Sequence, residues 1–474
     1  MLAEQRAPIV AIATAPGRGA IGIVRVSGGS STEMVKMLSV ALQVGVSRQE
    51  GQVGVSNPLS RPPISRHAHL AFFLDGVGRP IDQGLMLRFE APNSYTGEDL
   101  LELQCHGGPV VLQLVLERCL ELGAASQIRL AKPGEFTQRA YINGKLDLSQ
   151  AEGVADLIDA STRAAAQGAA SLMRGALSGV VSQLMSSVIE ARVWVEANID
   201  FPEEDIDRES LDAFDVRLSE LKERLNECQR TAKQGRLLRD GIRVVIAGQP
   251  NAGKSAMLNA LSGAEVAIVT PIPGTTRDTI EQSVQIEGIP IHLIDTAGLR
   301  ETQDIVERIG VSRAWEAIGR AQAIVFVHDS LQATDPQKVA ADESIRAAFP
   351  VDIPVIDVWT KQDLLPQPLC ESGIAWSICT GQGLYELRRA LLALAGWQPS
   401  GETPFTAQQR HTLALNGAEE RLAACLALLS HSQPALELLA EELRLAHGAL
   451  EGIGGRYLPD DLLGEIFSKF CIGK

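Results

Sequence analysis

The chain has 474 residues, enough for about three domains at roughly 100 to 200 residues each, and its 45% hydrophobic and 21% charged content excludes wholesale disorder. Lysine and arginine number 43 against 58 acidic residues, a net charge of −15. That balance argues against a broad basic face wrapped around bare nucleic acid and leaves any such contact local or shared with a partner.

The seven cysteines are scattered, with no CxxC pair, so neither a disulfide framework nor a zinc ribbon is expected and a reducing cytosol fits best. The N-terminus carries no basic segment followed by a long apolar run, and nowhere do 18 apolar residues follow one another. A cytoplasmic protein that makes no use of a membrane is expected.

In chain order, residues 1–145 mix β-type runs at 9–13, 21–26, 85–89 and 100–104 with one helical stretch at 110–122, which reads as an α+β domain. Residues 51–66 hold Pro58, Pro62 and Pro63 among Ser and Gly and are expected to form an irregular surface loop. From residue 146 the sequence turns Ala-rich. Met173, Leu177, Val181, Leu184, Val188, Ala191 and Val195 share one face of a long helix that Pro202 interrupts. A second helix is expected over 211–238, with Leu218, Leu221 and Leu225 inward. The C-terminal stretch, 399–474, is again helical, opening on Thr406-Ala-Gln-Gln409, which fits a capping box. Between these blocks, residues 241–398 alternate strands with helices, so an α/β domain is inserted into a helical domain made of segments 146–240 and 399–474.

The inserted domain carries the chemistry. A nearly continuous apolar strand, 242–247, leads into Gly248-Gln-Pro-Asn-Ala-Gly253-Lys254-Ser255, the G-x4-G-K-[ST] loop that precedes a helix. In such a loop backbone N–H groups cradle phosphate oxygens, the lysine neutralises the β/γ charge and the serine hydroxyl ligates Mg²⁺. The competing reading is a Gly-rich turn that happens to contain Lys-Ser. The strand 291–294 ends in Asp295-Thr-Ala-Gly298, where a carboxylate suits the magnesium shell and the Gly298 N–H can sense a γ-phosphate. Thr360-Lys361-Gln362-Asp363 follows the apolar run 355–359 and resembles the NKxD element of GTPases. There Asp363 would accept two hydrogen bonds from guanine, which adenine cannot offer. Asn is usual where Thr360 stands, so weaker affinity with guanine preference retained is expected. The position after DTAG, where Ras-type enzymes place a water-orienting Gln, is Leu299. Glu301, Asp304 and Glu307 are the polar candidates downstream.

Taken with Pro16-Gly-Arg18-Gly, Asn93-Ser-Tyr-Thr-Gly-Glu98-Asp99, His106-Gly-Gly-Pro109, Pro133-Gly-Glu135-Phe136, Gly274-Thr-Thr-Arg-Asp278, Asp295-Thr-Ala-Gly-Leu-Arg300 and the terminal Phe470-Cys471-Ile-Gly-Lys474, these motifs resemble the MnmE (TrmE) family of tRNA-modification GTPases over the whole chain. The resemblance implies a multidomain architecture: an N-terminal α+β domain that binds folate and dimerises the protein, a discontinuous helical domain and an inserted P-loop GTPase α/β domain. It places a tetrahydrofolate derivative, 5-formyl or 5,10-methylene, against Arg25, Glu102, Lys145 and Lys474, and suggests a chemical role for Cys471. For that thiol an inert buried position and C-a-a-X prenylation are the rivals, the second disfavoured by Gly473 and the terminal Lys.

For GTP the resemblance implies contacts from Asn251, Ala252, Gly253, Lys254, Ser255 and Ala256; from Thr270, Pro271, Ile272, Pro273, Gly274, Thr275 and Thr276; from Asp295, Thr296, Ala297 and Gly298; and from Thr360, Lys361, Gln362 and Asp363. Mg²⁺ would be held by Ser255 and Thr276. K⁺ would be held by Asn251, Thr270, Ile272 and Thr275, as a fixed cation acting like an arginine finger. Glu307 matches the family's water-orienting glutamate. The implied partners are a second copy of the chain, the FAD-containing MnmG protein in a heterotetramer, and tRNA, with a carboxymethylaminomethyl or aminomethyl group added at carbon 5 of the wobble uridine. With no long basic run in sight, MnmG is expected to supply much of the tRNA-binding surface. Ser377-Ile378-Cys379, standing where GTPases usually have a basic residue, leads to an expectation of fast nucleotide exchange. Two other readings are a GTPase switch on ribosome-assembly intermediates, which would need neither the folate residues nor the C-terminal tail, and a self-contained folate-dependent methyltransferase, which lacks a flavin fingerprint.

Overall fold

The computed structural model describes residues 7–28, 45–49, 52–56, 64–201, 208–263, 281–295, 318–366, 372–398, 405–431, 434–455, 460–468, 470 and 472–473. Their contacts divide the chain into two units, Met1–Ala151 with Gly454–Lys474, and Glu152–Ile453.

The first unit is built on a six-stranded sheet. Strands β1 (Ile9–Ile12), β2 (Ile21–Gly28), β5 (His69–Leu74), β6 (Pro80–Phe89), β7 (Asp99–His106) and β8 (Arg129–Leu130) take the order β5-β6-β7-β2-β1-β8, antiparallel except for β1 beside β8. Alternation along β2 sends Val24 and Val26 to one face, where they meet Leu112, Val115, Leu116 and Cys119 of helix α1 (Pro109–Leu122). Pro109 starts that helix because its missing N–H is unsatisfied there anyway. The expected loop over 51–66 is corrected in part: residues 52–56 form a strand, β4 (Gln52–Ser56), paired with β3 (Gly45–Gln49). Its Val-x-Val pattern outweighs the flanking Gly and Ser.

Helix α2 (Glu135–Ile142) follows β8, and its entry residue Gly134 has φ +67° with the Phe467 carbonyl only 2.4 Å from where a Cβ would stand. The C-terminal helix Asp460–Ser468 packs there through Phe467, whose ring lies 6.2 Å from that of Tyr141 and 5.3 Å from that of Phe470. The chain's last residues, grouped above with the helical segment, therefore make their contacts in the first unit.

The second unit joins helices to a second sheet. Helix α3 (Leu148–Asp159) spans the boundary between units, and α4 (Arg163–Met173) and α5 (Ala176–Asp200) divide what the 3–4 spacing predicts as one helix. The break is Gly175, at φ +87°, so Met173 falls on α4 while Leu177, Val181, Leu184, Val188 and Val195 form the buried stripe of α5. Against it lie Phe214, Leu218, Leu221 and Leu225 of α6 (Arg208–Asp240). The 33-residue α6 then turns through Gly241, φ +61°, into the sheet.

That sheet has the order β10-β11-β9-β12-β13-β14, from β9 (Ile242–Gly248), β10 (Glu281–Ile286), β11 (Ile289–Asp295), β12 (Ala323–Asp329), β13 (Val355–Thr360) and β14 (Ile374–Ala375). All neighbours are parallel except β10 and β11. Helices α7 (Lys254–Ser262), α8 (Pro336–Ala347) and α9 (Leu384–Leu394) connect them, and apolar clusters fill both faces. Helices α10 (Gln409–Leu429) and α11 (Leu436–Gly454) complete the helical core.

The expected cap of α10 is corrected. The capping box joins Gln408 to His411, while the Thr406 hydroxyl donates to Asp156 Oδ2 at 3.1 Å in a buried site. Asp156 also binds Arg239 at 2.7 Å, and Glu152, fully buried, binds Arg410 and, at 2.9 Å, His411. These carboxylates tie α3, α6 and α10 together.

Candidate nucleotide site

The carboxyl ends of β9, β11, β12 and β13 meet at one edge of the second sheet. The pairings Asp295 with Ile246, Val327 with Gly248 and Asp329 with Thr360 bring the motifs 248–255 and 360–363, together with Asp295, to the edge where open parallel sheets bind ligands.

The phosphate loop is a strained turn that glycine makes possible. Gly248 has φ +148° and a Cβ there would lie 2.4 Å from the Val327 carbonyl; Asn251 has φ +64° and Gly253 φ +103°. Helix α7 starts at Gly253 with no side-chain cap, so its first-turn N–H groups and positive dipole end remain for an anion. Lys254 is buried and its Nζ donates to the Gly248 and Gln249 carbonyls, both at 2.9 Å, which folds its charge over the loop. Ala252 is buried, Ala256 half-buried, and Ser255 is exposed on the first turn. Uncapped N–H groups, a cation and a hydroxyl fit a magnesium-bound nucleotide phosphate.

Thr360 earns its place where Asn is usual. Its buried hydroxyl lies 2.7 Å from the Ala252 carbonyl and 2.9 Å from that of His328, so it pins the phosphate loop to the end of β12. Lys361, at φ +62°, pairs with Asp329 at 2.6 Å, and the Gln362 amide donates to the Ser330 hydroxyl at 2.8 Å. Asp363 is exposed, and hydrogen bonding from the Ser377 hydroxyl, with smaller contributions from its own backbone N–H and then the Cys379 thiol, holds its carboxyl below the usual carboxylate range. The departure at 377–379 thus supplies polar groups to the Asp363 carboxyl.

Sequence reasoning missed the group behind this loop. His328 is buried, with Nδ1 2.9 Å from Asp342 and Nε2 2.9 Å from Asp357, and Arg346 bonds Asp357 at 2.6 Å. Its ring stacks on Trp359 at 4.4 Å. Asp342 also accepts from Gln249 of the loop at 2.7 Å. Burial alone would depress the imidazolium, but the two carboxylate hydrogen bonds outweigh it and raise its pKa above the ordinary value. No sequence signal links these residues, because β12, α8 and β13 bring them from separate segments. The folded chain binds this proton more tightly than the unfolded chain, so the stabilisation is complete below an ordinary imidazole pKa of about 6.5 and is lost as pH rises through the raised folded value. Thermal midpoints are therefore expected to fall on that alkaline side in the wild type and to flatten in His328→Asn; parallel profiles would contradict it.

Of the remaining expected site residues, Thr270, Pro271, Ile272, Pro273, Gly274, Thr275, Thr276, Thr296, Ala297, Gly298, Glu307, Cys471 and Lys474 lie outside the described residues. Asn251 is exposed on its left-handed turn. In the first unit Arg25 stands directly across from Glu102 in the β2–β7 register. The two pair at 2.8 Å, and Arg25 also donates to the Gly473 carbonyl at 3.2 Å and faces the Tyr95 and Phe136 rings, each 5.7 Å away. Lys145 donates to the Pro92 carbonyl at 3.0 Å and its stem passes Gly97, whose absent side chain makes room. Arg25 and Lys145 thus both contact the turn over 92–97. A basic pair, a carboxylate and aromatic faces suit a ligand with a carboxylate tail and a flat amino-substituted ring.

No single helix among the described residues is long and apolar enough to cross a membrane.

Comparison with known proteins accords with both units. A family model described as the MnmE helical domain matches residues 148–471, and one described as the GTP-binding protein TrmE N-terminus matches residues 8–145. The chain is 51% identical over 492 residues to the tRNA modification GTPase MnmE of Methylibium petroleiphilum, and 51% identical over 487 residues to that of an Acidovorax species, covering all of each protein. Among solved structures, a single-residue variant of Aquifex aeolicus Era bound to GDP and aluminium fluoride is 29% identical over 41% of this chain and 69% of its own, with a TM-score of 0.27. The chain belongs to the MnmE family of tRNA-modification GTPases, and is a GTP hydrolase that acts in tRNA modification.

Proposed function

We propose that this GTPase acts on the wobble uridine, adding a carboxymethylaminomethyl or aminomethyl group at carbon 5 jointly with the FAD-containing MnmG protein, with a tetrahydrofolate derivative bound in the first unit. The observation that carries the reading is the arrangement around Arg25: a cation paired to Glu102, flanked by two aromatic rings and touched by the C-terminal Gly473. Folate, when bound, would supply one carbon. Arg25, Lys145 and Lys474 would bind its acidic tail and Glu102 its amino and N–H donors, with a chemical role left to Cys471.

In the second unit Ser255 with Thr276 would hold Mg²⁺, and Asn251 with Thr270, Ile272 and Thr275 would hold K⁺ beside the phosphates, offsetting charge that develops in the transition state. Glu307 would orient the attacking water. GTP hydrolysis would then drive a conformational change and leave the chemistry to the folate and flavin sites. A homodimer is supported by the sheet face opposite α1, where the register aligns Ile23, Gln104, Leu85 and Leu70 in one row, with Leu70 55% exposed and no helix of the first unit described over it.

Mass spectrometry of wobble uridines in tRNA from a host lacking the gene tests the reading. The carbon-5 group should vanish, return with the wild-type chain and stay absent with Glu307→Ala. Unchanged uridines in the deleted host would move the assignment to a switch on ribosome-assembly intermediates.

A further inference from the structure

At the opposite end of the second sheet from the phosphate loop lies a polar cleft of about 730 Å³, walled by the end of α6, the start of β9, Arg320 and the loop after α9. We propose that this cleft docks the phosphate backbone of RNA, so that the chain itself holds part of the tRNA it helps modify; this rests on the reading of the chain as a tRNA-modification component.

Four cations line the cleft, Lys233, Arg236, Arg243 and Arg320, against a single carboxylate, Asp240. That carboxylate is already engaged, at 3.2 Å by Arg236 and at 2.7 Å by Arg239. Lys233, Arg243 and Arg320 are exposed and make no ion pair among the described residues. In a chain of net charge −15, three cations with no ion pair among the described residues, set around one concavity, form a local reversal of the field that attracts a polyanion. No sequence run announces it, because the cations come from α6, β9 and the turn before β12, and Gly241 is what brings them together. A Cβ at Gly241 would lie 2.1 Å from the Pro290 carbonyl, so only glycine lets α6 meet β9 this closely. The walls are fastened to each other by Gln234, whose amide donates to the Gly396 carbonyl at 2.9 Å and whose oxygen accepts from Gln398 N–H at 3.1 Å.

The lining separates RNA from other anionic partners. Among the described residues the cleft offers no aromatic anchor, as a protein interface of any affinity needs, and no apolar wedge of the kind that enters a membrane surface. The Gln322 side chain, whose oxygen accepts from the Arg243 N–H at 2.7 Å, keeps its amide N–H donors for sugar hydroxyls and phosphate oxygens between the charges. Arg243 stands near the start of β9 and Gly248 at its end, about 17 Å apart at the strand rise, so RNA here leaves the nucleotide edge open. Three or four phosphate contacts give modest affinity, which leaves most of the tRNA surface to the partner.

The test is anisotropy of fluorescein-labelled tRNA with the full chain, its Lys233→Glu/Arg243→Glu/Arg320→Glu variant and the neutral variant carrying Gln at the same three positions, between 50 and 300 mM KCl. GTP hydrolysis without tRNA, expected to be unchanged, reports that the variants fold. Each lost phosphate contact removes roughly 0.7 to 0.9 from the slope of log affinity against log salt. Both variants should thus lower that slope by about 2 to 3 and weaken binding about tenfold or more at 100 mM salt. Wild-type and variant chains binding alike, no binding by the wild type at 50 mM salt, or wild-type binding to phosphatidylglycerol vesicles in place of tRNA would each overturn the proposal. Loss of wobble modification in the gene-deleted host, alongside unaltered tRNA binding by the variants, would leave the proposed function standing and the cleft proposal refuted.

Discussion

Gly235→Ala is expected to destabilise the second unit by about 2 to 4 kcal/mol, against the usual direction of that change inside a helix. An alanine in a helix interior ordinarily gains up to about 1 kcal/mol over glycine. Gly235 is buried near the end of α6, and a Cβ there would stand 1.9 Å from the Phe405 carbonyl oxygen, 3.0 Å from its carbon and 3.3 Å from the Ala407 nitrogen. The obstacle is backbone and cannot swing aside. The neighbouring Thr406 is held by Asp156, and Ala407 is fully buried. Relief therefore requires α6 to move from the segment 405–407 before α10, which loosens the packing of α6 on α10 and strains the Asp156 contacts to Arg239 and Thr406. Gly179→Ala in α5, where nothing lies within 4 Å of the added carbon, is the matched control and should be neutral or stabilising. Urea unfolding of both variants decides it; equal midpoints for Gly235→Ala and wild type would show that the helix end yields at little cost.

The same position marks where the sequence stops being legible. The apolar spacing of α5 and α6 and the strand 242–247 carry their own periods, so these elements can be read from residues close in sequence. The break at Gly175 and the capping role of Gln408 depend on what else is near: Thr406 fits a cap until Asp156, 250 residues away, takes its hydroxyl. The phosphate loop is legible because glycine, lysine and serine must occur at fixed offsets for the chemistry. The His328 clamp and the basic cleft are not, because each is assembled by tertiary contacts from three or more segments whose residues look like ordinary surface charge. Short two-residue strands such as β8 leave no period to detect.

Thr360→Val is expected to weaken GDP binding about tenfold while leaving the preference for guanine intact. Valine has nearly the shape of threonine, so the cavity is kept and the change isolates one hydroxyl proton. In the wild type that proton is shared between the Ala252 and His328 carbonyls at 2.7 and 2.9 Å, in a site only 3% exposed. Its loss unties the phosphate loop from β12 and leaves a buried carbonyl short of a donor, at a cost of about 1 to 3 kcal/mol. Holding Ala252 fixes the loop N–H groups in the bound geometry, so part of that cost must be made up each time nucleotide binds; 1.4 kcal/mol corresponds to tenfold. The resemblance to the NKxD element assigns base reading to a different group, Asp363, whose carboxyl the Ser377 hydroxyl hydrogen-bonds. Hence the ratio of GDP to ADP affinity should survive Thr360→Val and collapse in Asp363→Ala, whereas Thr360→Ser, which keeps the hydroxyl, should bind as the wild type does. Stopped-flow displacement of a fluorescent GDP analogue separates these outcomes: unchanged dissociation in Thr360→Val would mean that the loop is held by Gly248, Lys254 and the nucleotide itself, and that threonine at this position is a neutral substitute for asparagine.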